Sequence, residues 1–197
     1  MARVAQLPAN DRAPPRDRPS LRRPRRRKLK YHAFLSYSHK DERLRKTLEL
    51  YLEVLKIQGV VHKIWHDRRI QPGMDWDAEI DMELVEADVV LLLVSTAFLA
   101  SDYIRKRELR PALNRHLAGN ARVIPIILEK CDWVNTFAAA PPLCDLSEPK
   151  RRVPQGIPRD SRTIRSFSPQ TDGWHVVQEE LAKVLTEVKL GLKIGWP

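Results

Sequence analysis

Asp88-Val-Val-Leu-Leu-Leu-Val-Ser95 decides the fold. Its apolar residues do not alternate with polar ones, so both faces of the segment are expected to be buried. That is the pattern of a strand in the centre of a parallel sheet. Eight residues are too few for a membrane span, which needs about 20. Upstream, Tyr31-His-Ala-Phe-Leu-Ser-Tyr37 and Val60-Val-His-Lys-Ile-Trp65 read as two further strands. Downstream, Arg122-Val-Ile-Pro-Ile-Ile-Leu128 reads as a fourth, with Pro125 suggesting an irregular or edge-ward place.

Helices alternate with these strands. Ser38 with Asp41 has the spacing of a capping box, and Leu44, Leu48, Leu52 and Leu55 follow at helical spacing up to Gly59. A polar loop, His66 to Gly73, precedes a helix from about Asp75 to Glu86. Another is expected over Thr96–Leu117, broken or kinked at Pro111. Residues 132–162 read as a long loop, Thr163–Phe167 as a short fifth strand, and Trp174, Val177, Leu181, Val184 and Val188 as the apolar face of a last helix. The alternation predicts a flavodoxin-like, doubly wound parallel α/β sheet of about five strands with helices on both faces. Ligands bind such sheets beyond the carboxyl ends of the strands, where strand order reverses. Ser36–His39 and Ser95–Tyr103 are thereby singled out.

Charge divides the chain in two. Residues 1–30 hold eleven Lys/Arg and two Asp, so 11 − 2 = +9 of the net +10 lies there. The rest carries 35 − 11 = 24 basic and 25 − 2 = 23 acidic residues. With five prolines and few large apolar residues, segment 1–29 is expected to be a disordered basic tail, and residues 30–190 the folded domain. The tail has no apolar core of a secretory signal, and a cytoplasmic location is expected. Its run Arg22, Arg23, Arg25, Arg26, Arg27, Lys28 reads chiefly as a solvated linker, with weak contact to nucleic acid or an anionic surface as the alternative. Cys131 and Cys144 lack redox or zinc spacing, and His62 and His66 form the only histidine pair at helical spacing, so no metal is expected.

The phosphate-binding patterns GxGxxG and Walker A are absent, as is a GxSxG nucleophile elbow. Beside the expected crevice stands Ser101-Asp-Tyr-Ile-Arg-Lys-Arg-Glu108-Leu109. Glu108 should share a helix wall with Tyr103 and Ile104. Taken alone, a helical Glu among Arg105, Lys106 and Arg107 is usually a solvated surface group.

Motifs in order change that reading. Tyr31 to Asp41, Trp65-His-Asp67 through Ile70, Pro72-Gly73 and Trp76, Leu92-Leu-Val-Ser95 with Ser101, Tyr103 and Glu108-Leu109, then Val123–Ile127 and Cys131-Asp-Trp133 together resemble the Toll/interleukin-1 receptor (TIR) domain of the bacterial type. The resemblance covers about residues 31–190. It implies an NAD+-cleaving enzyme, a hydrolase or cyclase, with NAD+ as substrate, no separate cofactor, and Glu108 as the essential carboxylate. By position in the family pattern, Phe34, Ser38 and His39 would border nicotinamide and ribose, Asp67 and its loop would form another side, and Tyr103 would stack on a flat ring. Phe34 also reads as core, Ser38 as a helix cap and Tyr103 as packing. The resemblance further implies a bacterial immune or toxic effector that self-associates through the His66–Trp76 loop. Many active members carry a tryptophan four residues before the glutamate, where this chain has Ile104. That departure favours the alternative, a non-enzymatic TIR–TIR interaction module, whereas Glu108 favours the enzyme.

Overall fold

A computed structural model describes residues 31–189, apart from Leu146 and Glu148. The expectations for the basic tail fall outside the described residues. Four parallel strands, β1 (His32–Ser36), β2 (Lys63–Trp65), β3 (Val89–Val94) and β4 (Arg122–Ile127), lie in the order β2-β1-β3-β4. Every residue of β3 is buried, as its unbroken apolar run requires. Strand alternation sends Ala33, Leu35, Leu91 and Leu93 to one face, under α1 (Glu42–Ile57) and α6 (Gln170–Lys189). Phe34, Val90, Leu92 and Val94 go to the other face, under α2 (Trp76–Glu86), α3 (Thr96–Ala100) and α4 (Arg110–Leu117). Helices therefore cover both faces of the sheet, and the flavodoxin-like class holds. No helix among the described residues is long and apolar enough to cross a membrane.

Several elements differ from expectation. Thr163–Phe167 is not a strand, because Ile164–Ser166 forms a 3-10 turn closed by Thr163 and Ser166. The position beside β4 is taken by Ile157 alone, which donates to Pro125 (2.8 Å) and accepts from Ile127 (2.9 Å). Pro154 and Pro158 flank it and limit further pairing. Pro125 turns its carbonyl, and hence its missing N–H, toward this outer edge, so the ladder with β3 is spared. Within the supposed loop 132–162, α5 (Trp133–Ala139) forms, with Phe137 fully buried.

The capping box also resolves differently. Ser38 accepts from Lys40 N at 3.4 Å and caps a 3-10 turn, His39–Asp41, ahead of α1. The Asp41 carboxylate instead receives Ser95 Oγ (2.5 Å) and Arg165 (3.2 Å), tying the start of α1 to the end of β3. Gly59 ends α1 at φ 70°, a left-handed conformation that suits glycine.

The helix expected over Thr96–Leu117 is broken before its proline. α3 stops at Ala100, Ser101 Oγ accepts from Ile104 N (3.3 Å), and Ile104–Leu109 form a π-helical turn that leads into α4. Pro111 lacks a donor and crowds the carbonyl four residues back; the wider turn, with Arg110 N bonded to Arg105 O, relieves this. The distortion thus falls on the turn that carries Glu108.

Candidate active site

Strand β1 ends with Ser36 on the same face as Phe34, and Ser36 is fully buried. The π turn buries Ile104 and Glu108 on that side of the sheet. Glu108 is only 7% exposed, which overturns the surface reading of an Arg-flanked glutamate. Burial pushes its carboxyl up to about 7, and the negative charge of Asp67 adds to the rise. The nearby Ser36 hydroxyl opposes it, although Ser36 Oγ makes no hydrogen bond of normal geometry among the described residues.

Some of the buried polar atoms that lack a hydrogen bond lie at this end of the sheet. Ser36 Oγ, Tyr37 OH, His66 Nδ1 and Asp67 Oδ1 are buried without a hydrogen-bond partner among the described residues. All four belong to the carboxyl ends of β1 and β2 or to the residues just beyond them. Buried polar groups are ordinarily paired, so a set of orphans marks a place suited to a polar ligand or water. Burial, followed by Asp67 and Glu42, raises the Tyr37 phenol and keeps it protonated. Burial and the neighbouring Arg45 lower His66 and favour its neutral ring.

The other expected site residues take separate places. Asp67 is brought into the electrostatic reach of Glu108 and meets His39 Nε2 at 3.3 Å. His39 itself is exposed. Ser38 is buried at its 3-10 cap. Phe34 is fully buried and stacked on Trp65 at 5.1 Å, two residues before Ser36 on the same strand. Tyr103 stands on the exposed flank of the π turn and donates to Asp77 at 2.8 Å. Burial and then Asp77 raise its phenol. Trp65 packs in the core, whereas Trp76 is 40% exposed.

The strand-order rule singles out the stretch holding Ser36 and Tyr37; sequence reasoning missed a clamp beneath the His66–Gly73 loop. Arg45 is buried and reaches Glu42 (2.9 Å), Glu49 (2.6 Å) and His66 Nε2 (3.0 Å). Glu49 also takes Arg69 at 3.0 Å, and Arg68 approaches His39 Nδ1 at 3.3 Å. The available signal was the Arg45/Glu49 pair, four residues apart beside the apolar stripe of α1. At the opposite end of the sheet, His32, Glu83 and Glu86 bring three ligand-type atoms within 4.8 Å, a grouping that sequence spacing conceals. Lys63 Nζ lies 2.6 Å from Glu83 and already supplies a positive charge there. A shallow groove of about 370 Å³, lined by Tyr51, Thr171, Asp172, His175 and Val176, lies between α1 and α6, across the sheet from Glu108.

A parallel α/β fold with a buried carboxylate at its strand-order reversal defines the class of protein. The sequence matches the TIR domain family over residues 33–157, and the chain belongs to that family. It is 53% identical over 100 residues to the uncharacterized protein y4lF of Sinorhizobium fredii, a match covering 51% of this chain and 31% of the relative. The chain thus spans about a third of that relative's length. Among solved structures, the TIR domain of the Toll-related receptor TRR-2 of Hydra magnipapillata covers 77% of this chain and 98% of its own, at 15% identity and TM-score 0.44. The TIR domains of the activated Roq1 resistosome, which recognises the pathogen effector XopQ, cover 79% and 84%, at 17% identity and TM-score 0.44.

Proposed function

We propose that this TIR domain cleaves the bond between nicotinamide and ribose in NAD+, with Glu108 as the essential carboxylate. The observation that carries the reading is the burial of Glu108 near the buried Ser36 hydroxyl and within the electrostatic reach of Asp67, at the switch point of the sheet. Nicotinamide departs as a neutral molecule, taking the bonding electrons and leaving an oxocarbenium-like ribosyl centre. An ionised carboxylate in a poorly solvated place stabilises that developing positive charge and holds the ribose hydroxyls. Water then adds at the anomeric carbon, with loss of a proton, to give ADP-ribose; attack there by another nucleophilic group of the same molecule gives a cyclic product.

Ser36 supplies a hydroxyl from the end of β1, and Asp67 supplies a second carboxylate from the loop after β2. Since Glu108 is almost enclosed in the single chain, the site opens and is completed when the His66–Trp76 loop packs on a neighbouring copy. The protein then acts as an assembly in the cytoplasm, as a bacterial immune or toxic effector. Release of nicotinamide by the concentrated chain, with Glu108→Gln beside it, tests the reading. A loss of about 100-fold or more in the variant supports it; equal rates, or no cleavage by assembled wild type, refute it. In a second reading the domain is a TIR–TIR interaction module, favoured by the exposure of Met74 and Trp76 at the end of that loop.

A further inference from the structure

Helix α2 and its approach contain Asp75, Asp77, Glu79, Asp81, Glu83 and Glu86, without a Lys or Arg from Gln71 to Ala87. Its outer face also leaves Met82 48% and Val85 68% exposed. Ala78, Met82 and Val85 recur at helical spacing and form an apolar stripe. Glu79 and Glu86 flank it on one side and Asp81 on the other. Asp81 is engaged by Arg107 at 3.1 Å, whereas Glu79 and Glu86 have no ion pair among the described residues.

The chain enters the fold against this helix. His32, the first residue of β1, lies 3.0 Å from Glu83, and its ring is also within reach of Glu86. Just before it comes Arg22-Arg-Pro-Arg-Arg-Arg-Lys28. Four to seven residues separate His32 from Lys28 through Arg25, a reach of up to about 13–25 Å. The distance from Glu86 back to Asp77 along α2 is about 14 Å. Position, charge and length agree. Arginine and proline also suit a stripe with carboxylate borders, because arginine stems and proline rings cover apolar surface while guanidinium groups meet carboxylates.

We propose that residues 22–28 dock along the exposed face of α2 of their own chain, with Met82 and Val85 beneath them and Glu79 and Glu86 as ion partners. The docked segment lies beside Asp77 and Asp81, which hold Tyr103 and Arg107 on the turn that carries Glu108.

Trypsin tests the proposal on the whole chain in roughly 50 mM salt, where surface charges are weakly screened. Bonds after Arg25, Arg26, Arg27 and Lys28 should be cut about fivefold more slowly in wild type than in Glu79→Gln/Glu86→Gln, as two exposed ion pairs imply. Protection should be independent of protein concentration and lost in about 1 M salt. An unchanged circular dichroism melt verifies that the variant is folded. The proposal fails if both proteins are cut as fast as a free peptide of residues 18–30. It fails equally if protection grows with protein concentration, which would place the segment on a neighbouring copy. Protection that appears only with duplex DNA or phosphatidylserine vesicles would also overturn it and make the segment a polyanion binder.

Discussion

Glu108 is held where its charged form is least welcome. Burial raises its carboxyl from 4.5 to about 7, so the native state keeps a proton that the unfolded chain has released. The stability this provides is complete below about pH 4.5 and is lost as pH rises through about 7. At pH 8 the protein must fold around a buried anion, at a cost on the order of 3 kcal/mol. Glu108→Gln should therefore stabilise the protein by up to that amount at pH 8 and by less than about 1 kcal/mol at pH 5. Denaturant unfolding at the two pH values checks this, and destabilisation at pH 8 would contradict the buried, poorly compensated state. The same carboxylate sets an expectation for catalysis: if the anion is the working form, kcat/KM for NAD+ rises with pH through about 7. At saturating substrate the midpoint should fall, because the cationic nicotinamide ring favours the anion. A flat profile from pH 5.5 to 8.5 would remove Glu108 from the rate-determining chemistry.

Among the elements, α1 separates packing from exposure most sharply. Leu48 is fully buried against the sheet, whereas Leu50, two positions on, is 70% exposed. Leu48→Ala should lower stability by about 3 kcal/mol, and Leu50→Ala should change it by less than about 0.5 kcal/mol. Equal losses by chemical denaturation would mean that the helix is rotated from the position described. Leu44, Leu48, Leu52 and Leu55 made this helix legible in sequence because burial of a single stripe imposes a period. The unbroken run of β3 was legible because two covered faces demand it. The π turn was not, since it arises from Pro111 acting on residues several positions upstream. The single bridge at Ile157 was hidden as well, because pairing there depends on the edge that Pro125 leaves open. At the site, Glu108 stood out only through the family motifs; its burial could not be read from a stretch that contains Arg105, Lys106 and Arg107. Ser36 was indicated only by its place at the end of β1 beside the strand-order reversal; nothing local in the sequence signals its unpaired hydroxyl.

For the molecule as a whole, the proposed chemistry and the proposed assembly meet at the loop after β2. Arg69 and His66 anchor the base of that loop to Glu49, while Met74 and Trp76 at its far end are 48% and 40% exposed. An anchored base with an apolar end suits docking on a second copy, since large aromatic side chains supply much of the affinity of protein interfaces. Met74→Ser/Trp76→Ala should weaken self-association about tenfold in sedimentation experiments while leaving the thermal midpoint within a few degrees. If the neighbouring copy completes the site, nicotinamide release should fall at low protein concentration and recover when the variant is concentrated. Glu108→Gln should do the reverse, assembling normally and remaining inactive at every concentration. An assembled but inactive loop variant would separate the loop's part in catalysis from its part in docking, and an unassembled but fully active one would show that a single chain suffices.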